Sequence, residues 1–404
     1  MEEKKIKIGI LREGKIPPDE RVPFGPVECK EISEKYPCEL VVKNSEVRRI
    51  TGEAYRNQGV ELVDSVYDAD VLFGVKEVPI NELIEGKTYF FFSHTIKKQP
   101  YNAKLLRAIL EKKVRLIDYE RLTDANGMRV LGFGRFAGLV GAYNGFRMIG
   151  MKTGDFSLKK AHSCEHLEDL LSELEKVKIE PIKICMTGTG RVAAGAVKIL
   201  EKLNIKKVAV SDYLSKQFDY PVYTQLEVNE YNKRIDGSEG SVPEFFKHPE
   251  LYESNFKRFL SVTDFYITAH FWDSKAPLIF TSEDLKDERF KVKYISDISC
   301  DIGGPIPSTI RSSTIADPYY GIDRQTGEER PFTDKESLAV MAVDNLPCEL
   351  PVDASIDFGK QLMKHVVPHL FNGDAEGVLK RATIAENGKL TEGYLYLEDY
   401  ARGR

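Results

Sequence analysis

The sequence predicts an α/β protein with two parallel-sheet domains, and three observations support this fold class. The 404 residues exceed what one hydrophobic core usually organises, so two domains are expected. Short apolar segments typical of buried parallel strands alternate with amphipathic segments that predict helices. A glycine-rich turn lies between a predicted strand and a predicted helix in the second half of the chain.

The first elements of the chain follow the order strand, loop, helix, strand. Residues 5–11 predict the opening strand, residues 26–36 a helix and residues 39–43 the second strand. A proline-rich loop separates the opening strand from the helix. This order predicts a parallel sheet with right-handed crossovers.

The proline-rich loop carries two arginines, Arg12 and Arg21, and the second stands just before the predicted helix. At the mouth of the sheet, the Arg21 guanidinium can clamp a substrate carboxylate through two parallel hydrogen bonds. The alternative is a surface arginine that pairs with Asp19 or Glu20. The local sequence leaves both interpretations open.

Two further predicted strands, residues 71–75 and 88–92, are each followed by one ionisable side chain, Lys76 and His94. Neighbouring parallel strands end at the same edge of a sheet, where α/β proteins bind their ligands. A lysine and a histidine in one half-buried site can exchange protons near neutral pH. The sequence therefore predicts an acid–base pair, and the alternative is two polar residues that end a sheet in water.

The middle of the chain predicts a helix at residues 102–112, a strand at residues 114–118 and a long helix at residues 136–151. Small residues recur along the long helix: Ala137, Gly138, Gly141, Ala142 and Gly145. Because each glycine costs a helix about 1 kcal/mol, we expect this small face to pack closely on another element. A charged helix is predicted at residues 165–177.

The glycine-rich turn has the pattern of a dinucleotide-binding site. A predicted strand at residues 182–186 precedes it, and a predicted helix at residues 192–203 follows it. The turn reads Gly188, Thr189, Gly190, Arg191, Val192, Ala193, which fits G-x-G-x-x-A. Such a turn lets the backbone approach a pyrophosphate at the positive end of a helix. A plain strand–helix turn is the alternative.

An acid near the expected offset strengthens this prediction. Residues 207–210 predict the next strand, with Asp212 at its end. An acid about 20 residues past the glycines binds the adenosine ribose hydroxyls and repels a 2′-phosphate. We therefore expect NAD, with NADP as the alternative because Lys216 is nearby.

The last part of the chain returns to the sheet after a polar, aromatic segment, residues 213–260, which predicts an insertion at the rim of the nucleotide domain. Three further strands are predicted at residues 264–269, 294–298 and 339–343. Asp297 belongs to the second of these strands, and Asn345 follows the third. Residues 354–370 predict a helix, and residues 376–404 a hydrophilic tail.

Composition excludes several classes of protein. Hydrophobic residues make up 42% and charged residues 30%, with a net charge of −5 and interspersed signs. This argues against nucleic acid or an anionic membrane surface as a partner. No apolar run approaches the roughly 20 residues of a membrane span, and no signal peptide is recognised. The six cysteines form no C-x-x-C pair, so we predict no metal site and a cytoplasmic enzyme.

The chain resembles the alanine dehydrogenase/transhydrogenase N-terminal superfamily, and within it the saccharopine dehydrogenase (L-lysine-forming) or lysine–2-oxoglutarate reductase branch. The resemblance covers roughly residues 8–362, and the motifs that carry it follow in order: G-V-K-E-V-P, F-F-S-H-T-I-K, R-L-I-D-Y-E, R-V-L-G-F-G-R-F-A-G, T-G-T-G-R-V-A-A-G, D-I-S-C-D-I-G-G and D-N-L-P-C-E-L-P. The resemblance implies two Rossmann-like domains around a central cleft. Residues 1–136 and 352–404 would form the substrate domain, and residues 137–351 the NAD(P)-binding domain.

The resemblance also implies roles for individual residues. Lys76 and His94 would be the acid–base pair. Cationic contacts to substrate carboxylates would come from Arg21, Lys97 and Arg129. Two acids, Glu77 and Glu120, would lie close enough to Lys76 to adjust its pKa, and Phe133 would line the nicotinamide pocket. The dinucleotide would be held by Gly188, Thr189, Gly190, Arg191, Val192 and Asp212, with the loops of Asp297 and Asn345 closing the cofactor cleft.

The implied reaction joins lysine and 2-oxoglutarate as an imine, which NAD(P)H reduces to saccharopine. Two alternatives stay open: alanine dehydrogenase-like amination of a smaller 2-oxo acid, and a non-catalytic nucleotide-sensing homologue. Because several relatives of the reductase type use NADPH, NADP remains the alternative cofactor. The resemblance leaves the oligomeric state open, a homo-oligomer included.

Overall fold

The structure, a computed structural model, describes residues 5–14 and 18–403. Residues 15–17, which belong to the predicted proline-rich loop, lie outside the described residues. In the described part of the chain, no helix is both long enough and apolar enough to cross a membrane.

The chain divides into two compact units. The first unit consists of residues 1–133 and 351–404, and the second unit of residues 134–350. The boundaries predicted from the sequence lie at residues 136/137 and 351/352. The roles of the two units as substrate domain and NAD(P)-binding domain stay predictions.

Strands and helices alternate through most of the described residues. In chain order the strands are β1 (Ile6–Ile10), β2 (Cys38–Lys43), β3 (Glu61–Val63), β4 (Val71–Phe73), β5 (Thr88–Phe91), β6 (Arg115–Asp118), β7 (Lys183–Thr187), β8 (Lys206–Lys207), β9 (Val222–Leu226), β10 (Asn232–Arg234), β11 (Tyr252–Ser254), β12 (Phe265–Thr268), β13 (Tyr294–Asp297), β14 (Tyr319–Ile322), β15 (Glu329–Arg330), β16 (Leu338–Met341), β17 (Thr383–Glu386) and β18 (Lys389–Leu390). The helices are α1 (Pro26–Lys35), α2 (Gly52–Asn57), α3 (Ala103–Glu111), α4 (Gly134–Thr153), α5 (Leu167–Glu173), α6 (Arg191–Lys202), α7 (Val210–Ser215), α8 (Val228–Tyr231), α9 (Val242–Lys247), α10 (Lys257–Leu260), α11 (Ser282–Lys286), α12 (Pro351–His365), α13 (Val367–Phe371), α14 (Val378–Ala382) and α15 (Glu398–Arg402).

The first unit contains one eight-stranded sheet in the order β18-β17-β6-β5-β4-β1-β2-β3. The strands from β3 to β6 pair in parallel, as the strand–helix alternation predicts. At the other edge, β17 and β18 are antiparallel. The predicted α/β class is therefore confirmed, with a mixed rather than purely parallel sheet.

The prediction that residues 376–404 form a hydrophilic tail is corrected, because this segment contains β17 and β18. Asn387 and Gly388 join β17 to β18, with φ angles of 52° and 78°. Two positive-φ residues between antiparallel strands are typical of a type I′ turn, which Asn-Gly strongly favours. The sequence therefore contained the hairpin signal, although the high polarity of the segment obscured it.

Apolar side chains cover both faces of the first sheet. Phe73 stacks on Phe90 with ring centroids 4.4 Å apart, in the cluster to which α1 and α12 contribute. Leu72 and Tyr89, the preceding residue of each strand, belong to the opposite cluster with α3. Strands buried on both faces explain the continuous apolar runs in the sequence.

The second unit contains an eight-stranded sheet in the order β15-β14-β16-β13-β12-β7-β9-β8. The strands from β16 to β8 pair in parallel, and β14 and β15 form an antiparallel edge. A separate pair of strands, β10 and β11, lies outside this sheet. The carboxyl ends of the parallel strands therefore share one edge.

The predicted close packing of the long helix is confirmed, and its partner is α6. A Cβ atom on Gly138 would lie 1.8 Å from the carbonyl oxygen of Val192. Conversely, a Cβ atom on Gly195 would lie 2.0 Å from the carbonyl oxygen of Arg135. Glycines on both helices therefore allow backbone contact, which holds the helix after the glycine turn in place.

Two predictions for residues 207–260 are wrong. The predicted strand at residues 207–210 is reduced to the two residues of β8, and Asp212 lies on α7 instead of at a strand end. The predicted rim insertion contains β9, which lies inside the sheet between β7 and β8. Strand order arises from non-local pairing, which local periodicity does not report.

Candidate active site

Lys76 and His94 follow neighbouring strands of the first sheet. β4 and β5 pair in parallel, and beyond the paired residues the backbone N–H of Phe92 donates to the carbonyl of Val75 at 3.0 Å. Lys76 comes directly after Val75, and His94 comes two residues after Phe92. The structure thus brings both predicted residues to the same edge of the sheet.

Glu77 connects the two strand ends. Its Oε1 lies 2.6 Å from Nδ1 of His94, and the exposed fractions of the two side chains are 15% and 16%. This contact leaves Nε2 as the imidazole nitrogen for proton exchange with a substrate. His94 also has a left-handed backbone with φ of 52°, an uncommon conformation that concentrates at functional sites.

A half-buried carboxylate that was not predicted from the sequence, Glu13, lies directly against this strand end. Its two oxygens accept the backbone N–H groups of Val75 at 2.7 Å and Lys76 at 2.9 Å. Burial raises the pKa of Glu13 to about 7, while the two N–H groups act in the opposite direction. Because β1 pairs with β4, the strand-end rule applied to β1 would have identified this residue.

Arg21 is buried rather than exposed, and it pairs with Asp19. Its Nε and one terminal nitrogen donate to the two Asp19 oxygens at 2.9 and 2.6 Å, and both side chains are 2% exposed. Burial disfavours the Asp19 carboxylate, but the Arg21 charge and hydrogen bonds outweigh it and lower the pKa of Asp19 to about 2. The Arg21 guanidinium also lies 4.1 Å from the ring centroid of Phe133. Its predicted contact with a substrate carboxylate stays a prediction.

Phe133 is stacked on an aromatic ring of α12. Its ring centroid lies 4.3 Å from that of Phe358, with 14° between the planes. With Arg21 against it, the Phe133 ring is held in one orientation. Such a ring can serve as a flat wall for a planar ligand, and its predicted role beside the nicotinamide stays a prediction.

The remaining predicted cations lie beyond the ends of β5 and β6. Nζ of Lys97 is 3.3 Å from Oε1 of Glu120. The Arg129 guanidinium lies 5.6 Å from the ring centroid of Phe92. Burial lowers the pKa of Arg129, and the charges of Glu120 and Asp118 act in the opposite direction. The structure therefore places Lys97 and Arg129 around one carboxylate, Glu120.

In the second unit, the glycine turn has the geometry that a dinucleotide requires. Gly188 has φ of 104°, and a Cβ atom there would lie 2.4 Å from the carbonyl oxygen of Ala269. Gly190 is the N-cap residue of the twelve-residue α6, and a Cβ atom there would meet no described atom within 4 Å. Thr189, Gly190 and Arg191 are exposed. An open helix N-terminus after a glycine turn fits the pyrophosphate of a dinucleotide.

A buried histidine lies beside this turn, and the sequence analysis missed it. Nδ1 of His270 is 2.7 Å from Oγ1 of Thr187, the last residue of β7. Burial lowers the pKa of His270 to about 4, so the ring is neutral at pH 7. Its Nε2 is buried without a hydrogen-bond partner among the described residues. The strand-end rule applied to β12 would have identified it.

The other predicted cofactor residues have different surroundings. Asp212 is 43% exposed and forms an ion pair with Lys216 at 3.0 Å. Asp297 is buried at the end of β13 and accepts hydrogen bonds from Thr268 at 2.6 Å and from Thr309. Burial raises the pKa of Asp297, and these bonds act against it. The Asp297 carboxylate therefore organises its own loop.

Asn345 follows β16 and begins the 3₁₀ helix Leu346–Glu349. Its carbonyl oxygen accepts the backbone N–H of Cys348 at 3.0 Å. The loop therefore lies at the same sheet edge as the glycine turn and Asp297. Its predicted contact with the cofactor stays a prediction. Among the described residues, no group of three or more His, Cys, Asp or Glu side chains could hold a metal ion.

The chain matches curated relatives over most of its length. It is 29% identical to the mitochondrial alpha-aminoadipic semialdehyde synthase of Mus musculus, over 96% of this chain and 47% of that protein. It is 25% identical to the saccharopine dehydrogenase [NAD(+), L-lysine-forming] of Emericella nidulans, over 88% of this chain and 90% of that protein. The chain thus spans about half the length of the semialdehyde synthases it matches.

The fold is also similar to solved structures. An L-alanine dehydrogenase superposes with a TM-score of 0.68 at 15% identity, over 98% of this chain and 100% of that chain. Residues 9–140 match the family model described as "Alanine dehydrogenase/PNT, N-terminal domain". Residues 170–395 match "Alanine dehydrogenase/PNT, C-terminal domain", and the match supports a nicotinamide cofactor. The chain belongs to the alanine dehydrogenase/PNT family, as its motifs predict.

Proposed function

We propose that the chain interconverts L-lysine, 2-oxoglutarate and NADH with saccharopine and NAD⁺. The observation that carries the proposal is the arrangement of Lys76, Glu77 and His94 at the ends of β4 and β5. The relatives named above support it, because their names describe saccharopine chemistry or the semialdehyde synthase. In the reductive direction, lysine, 2-oxoglutarate, NADH and one proton yield saccharopine, NAD⁺ and water.

The proposed reaction requires proton transfers and a hydride transfer at the site. The ε-amine of lysine attacks the 2-oxo carbon, a carbinolamine loses water, and the resulting imine is reduced to a secondary amine. The amine must lose a proton before attack, and the departing hydroxyl must gain one. The bound nicotinamide supplies the hydride. The protein must therefore provide a base, an acid and fixed positions for the reactants.

Lys76 and His94 would carry the protons in this sequence. Because Glu77 contacts Nδ1 of His94, the imidazole would exchange protons through Nε2. Glu13 holds the backbone of Lys76 and therefore positions the start of that side chain. A pair of proton carriers on adjacent strand ends can serve both dehydration of the carbinolamine and deprotonation of the amine.

Cationic side chains would select the substrate by its carboxylates. Saccharopine has three carboxylates, and Arg21, Lys97 and Arg129 are the candidate partners. Lys97 is 52% exposed, so it can reach a soluble ligand, whereas Arg21 is fixed by Asp19. A substrate with one carboxylate would leave most of these cations without a function.

We propose NAD rather than NADP as the cofactor. The segments after β8 and β9 carry exposed acids, Asp212 and Glu227. An acid near the adenosine ribose favours its free hydroxyls and repels a 2′-phosphate. The Emericella nidulans relative is named as an NAD(+) enzyme, which agrees with this proposal.

Oxidation of NADH and of NADPH by the purified chain tests the function. We expect NADH oxidation only when 2-oxoglutarate and lysine are both present, with saccharopine identified by mass spectrometry. Turnover with pyruvate and ammonia instead would favour an alanine dehydrogenase-like activity. NADH binding without hydride transfer to any oxo acid–amine pair would favour a non-catalytic homologue. The mouse relative is named as mitochondrial, so the cytoplasmic location stays a prediction.

A further inference from the structure

The strand order of the second unit places a different acid beside the glycine turn from the one that sequence spacing indicates. β9 pairs with β7 along its whole length, from Lys183 opposite Val222 to Thr187 opposite Leu226. Within the described residues β8 pairs only with β9, so it lies one strand further from the turn. The residue that follows β9 is Glu227.

Hydrogen bonds attach the end of β9 to the turn itself. The backbone N–H of Gly188 donates to the carbonyl oxygen of Leu226 at 2.9 Å. The Gln225 side-chain amide donates to the carbonyl oxygen of Gly188 at 3.0 Å. Because Glu227 directly follows Leu226, these bonds hold it level with the first glycine of the turn. Its side chain is exposed on the sheet edge where the dinucleotide is proposed to bind.

Two further contacts fix the chain as it leaves β9. The backbone N–H of Glu227 donates to Oε2 of Glu230 at 2.6 Å. Nζ of Lys207, on β8, donates to the Gln225 side-chain oxygen at 3.1 Å. The backbone of Glu227 is therefore held by Glu230 on its C-terminal side, and it follows a strand end whose Gln225 side chain is held by Lys207. Such a position suits a side chain that must meet a ligand in one geometry.

Asp212 lacks this connection to the turn. It lies on α7 beyond β8, with its carboxylate paired to Lys216 at 3.0 Å. Neighbouring strands lie about 4.8 Å apart, so β8 runs roughly 10 Å to the side of β7. The spacing rule pointed to Asp212 because the next strand in the chain usually pairs with the strand before the turn. Here that neighbour is β9, which comes later in the chain.

We propose that Glu227 accepts hydrogen bonds from the adenosine ribose hydroxyls of the bound dinucleotide and sets the preference for NAD over NADP. In dinucleotide-binding sheets of strand order 3-2-1-4-5-6, the acid that holds the ribose follows strand 2, which pairs with the strand before the glycine turn on the side away from strand 4. In this chain β12 pairs with β7 on one side, and β9 lies on the other side, in the place of strand 2. A carboxylate there accepts from both free hydroxyls, whereas it repels a 2′-phosphate of like charge. This inference rests on the proposed nicotinamide site and names one residue of it.

Equilibrium titrations with NADH and with NADPH, followed by nucleotide fluorescence, test the inference on the full chain. We expect Glu227→Ser to weaken NADH binding about 10- to 100-fold, because hydrogen bonds to a charged group are lost. NADPH binding should stay equal or become tighter, since the repulsion is removed. Glu227→Gln should raise NADPH affinity while it keeps the side-chain length. Glu239→Gln, which removes an exposed charge elsewhere on the same unit, is the matched control and should leave both Kd values unchanged.

The outcomes separate this inference from the proposed function. If both Glu227 variants keep the wild-type ratio of the two Kd values, the inference is wrong, and a changed ratio in Asp212→Asn would assign the ribose to Asp212. If the wild-type chain binds neither nucleotide, the proposed function itself fails. Serine is a favourable first residue before a helix, so Glu227→Ser should keep α8 folded. If its circular dichroism melt is nevertheless lowered, Glu227→Gln decides the result.

Discussion

At the scale of single residues, the contact of Glu77 with Nδ1 of His94 leaves Nε2 as the ring nitrogen that can exchange a proton with a substrate in the proposed mechanism. A carboxylate 2.6 Å from Nδ1 favours the tautomer with the proton on Nδ1. In the proposed mechanism His94 then acts through Nε2 alone, because Glu77 fixes the orientation of the ring. Glu77 is therefore a positioning residue for His94 in the proposed mechanism.

Replacing either proton carrier should slow turnover without weakening nucleotide binding. We expect Lys76→Met and His94→Gln each to lower kcat about 10²- to 10⁴-fold, the usual contribution of a general acid or base. The Kd for NADH should not change, because neither residue belongs to the glycine turn. Steady-state kinetics and fluorescence titration measure the two quantities, with the exposed-lysine variant Lys104→Met as the control. Wild-type turnover in either variant would remove that residue from the mechanism.

Glu13 should make the unfolding free energy decrease as the pH rises towards neutrality. Its pKa is raised from 4.5 to about 7 in the folded chain, so folding favours the protonated form. The stabilisation is complete below the unfolded pKa and is lost as the pH rises through about 7. Relative to Glu13→Gln, the wild type should lose up to about 3 kcal/mol of unfolding free energy between about pH 4 and pH 8. Urea unfolding at both pH values measures this, and the opposite sign would contradict it.

The Arg21–Asp19 pair should matter far more to stability than a surface pair. Asp19→Asn leaves the buried Arg21 charge without its carboxylate, which we expect to cost about 3–5 kcal/mol. Asp68→Asn removes an exposed partner of Lys7, and such surface pairs contribute little to stability because water screens them. Because the pKa of Asp19 is lowered to about 2, its contribution is present above pH 3.8 and lost as the pH falls through about 2. Equal effects of the two substitutions would contradict this assignment.

At the scale of elements, the contact between α4 and α6 holds the helix that follows the glycine turn. Gly138→Ala would place Cβ 1.8 Å from the Val192 carbonyl, so backbone must move. Alanine improves helix propensity by about 1 kcal/mol, whereas overpacking costs about 1–3 kcal/mol or more. We expect a net loss of about 2 kcal/mol in unfolding free energy and weaker NADH binding. A stability equal to or above that of the wild type would show that the helices can separate without cost.

A matched glycine provides the control for this prediction. Gly393 has no described atom within 4 Å of an added Cβ and no positive φ. Gly393→Ala should therefore leave the unfolding free energy within about 0.5 kcal/mol of the wild type. A large loss in both variants would point to a general intolerance of glycine replacement rather than to the α4–α6 contact.

The same elements show what local sequence can predict. Lys76 and His94 could be placed together because β4 and β5 are neighbours both in the chain and in the sheet. Glu13 and His270 also follow predicted strands, but the strands beside which they lie are fixed by pairings that are more distant in sequence. Asp212 was predicted from spacing, and spacing does not report that a later strand, β9, pairs with β7. Periodicity thus identifies strands, whereas their order depends on contacts that no local pattern records.

At the scale of the whole molecule, the fold class and the family were predicted correctly, since strand–helix alternation and seven motifs extend over most of the chain. The mixed edges of both sheets were not predicted. In the first unit the Asn387-Gly388 turn specifies that edge, but it lies in a segment too polar to suggest a buried strand. The division into two units agrees with a chain of this length.

Nucleotide binding should raise the melting temperature of the protein. At 100 times its Kd, a ligand that binds only the folded state adds about 2.7 kcal/mol, which corresponds to roughly 5–10 °C for a unit of this size. We expect NADH to produce this shift in calorimetry and NADPH a smaller one at equal concentration. If the units melt separately, only the transition of the second unit should move. No shift with NADH would contradict a dinucleotide site in that unit.

The position of β9 has a consequence for how the chain is made. The ribosome releases β7, the glycine turn, α6 and β8 before the strand that joins them in the sheet. The turn gains its bond to the Leu226 carbonyl only after that residue has emerged. Contacts between such distant segments slow folding, because the intervening chain must be ordered first. A nascent chain would therefore complete the backbone bonds of its glycine turn only after β9 has emerged, and the nucleotide could not act as a template before that point.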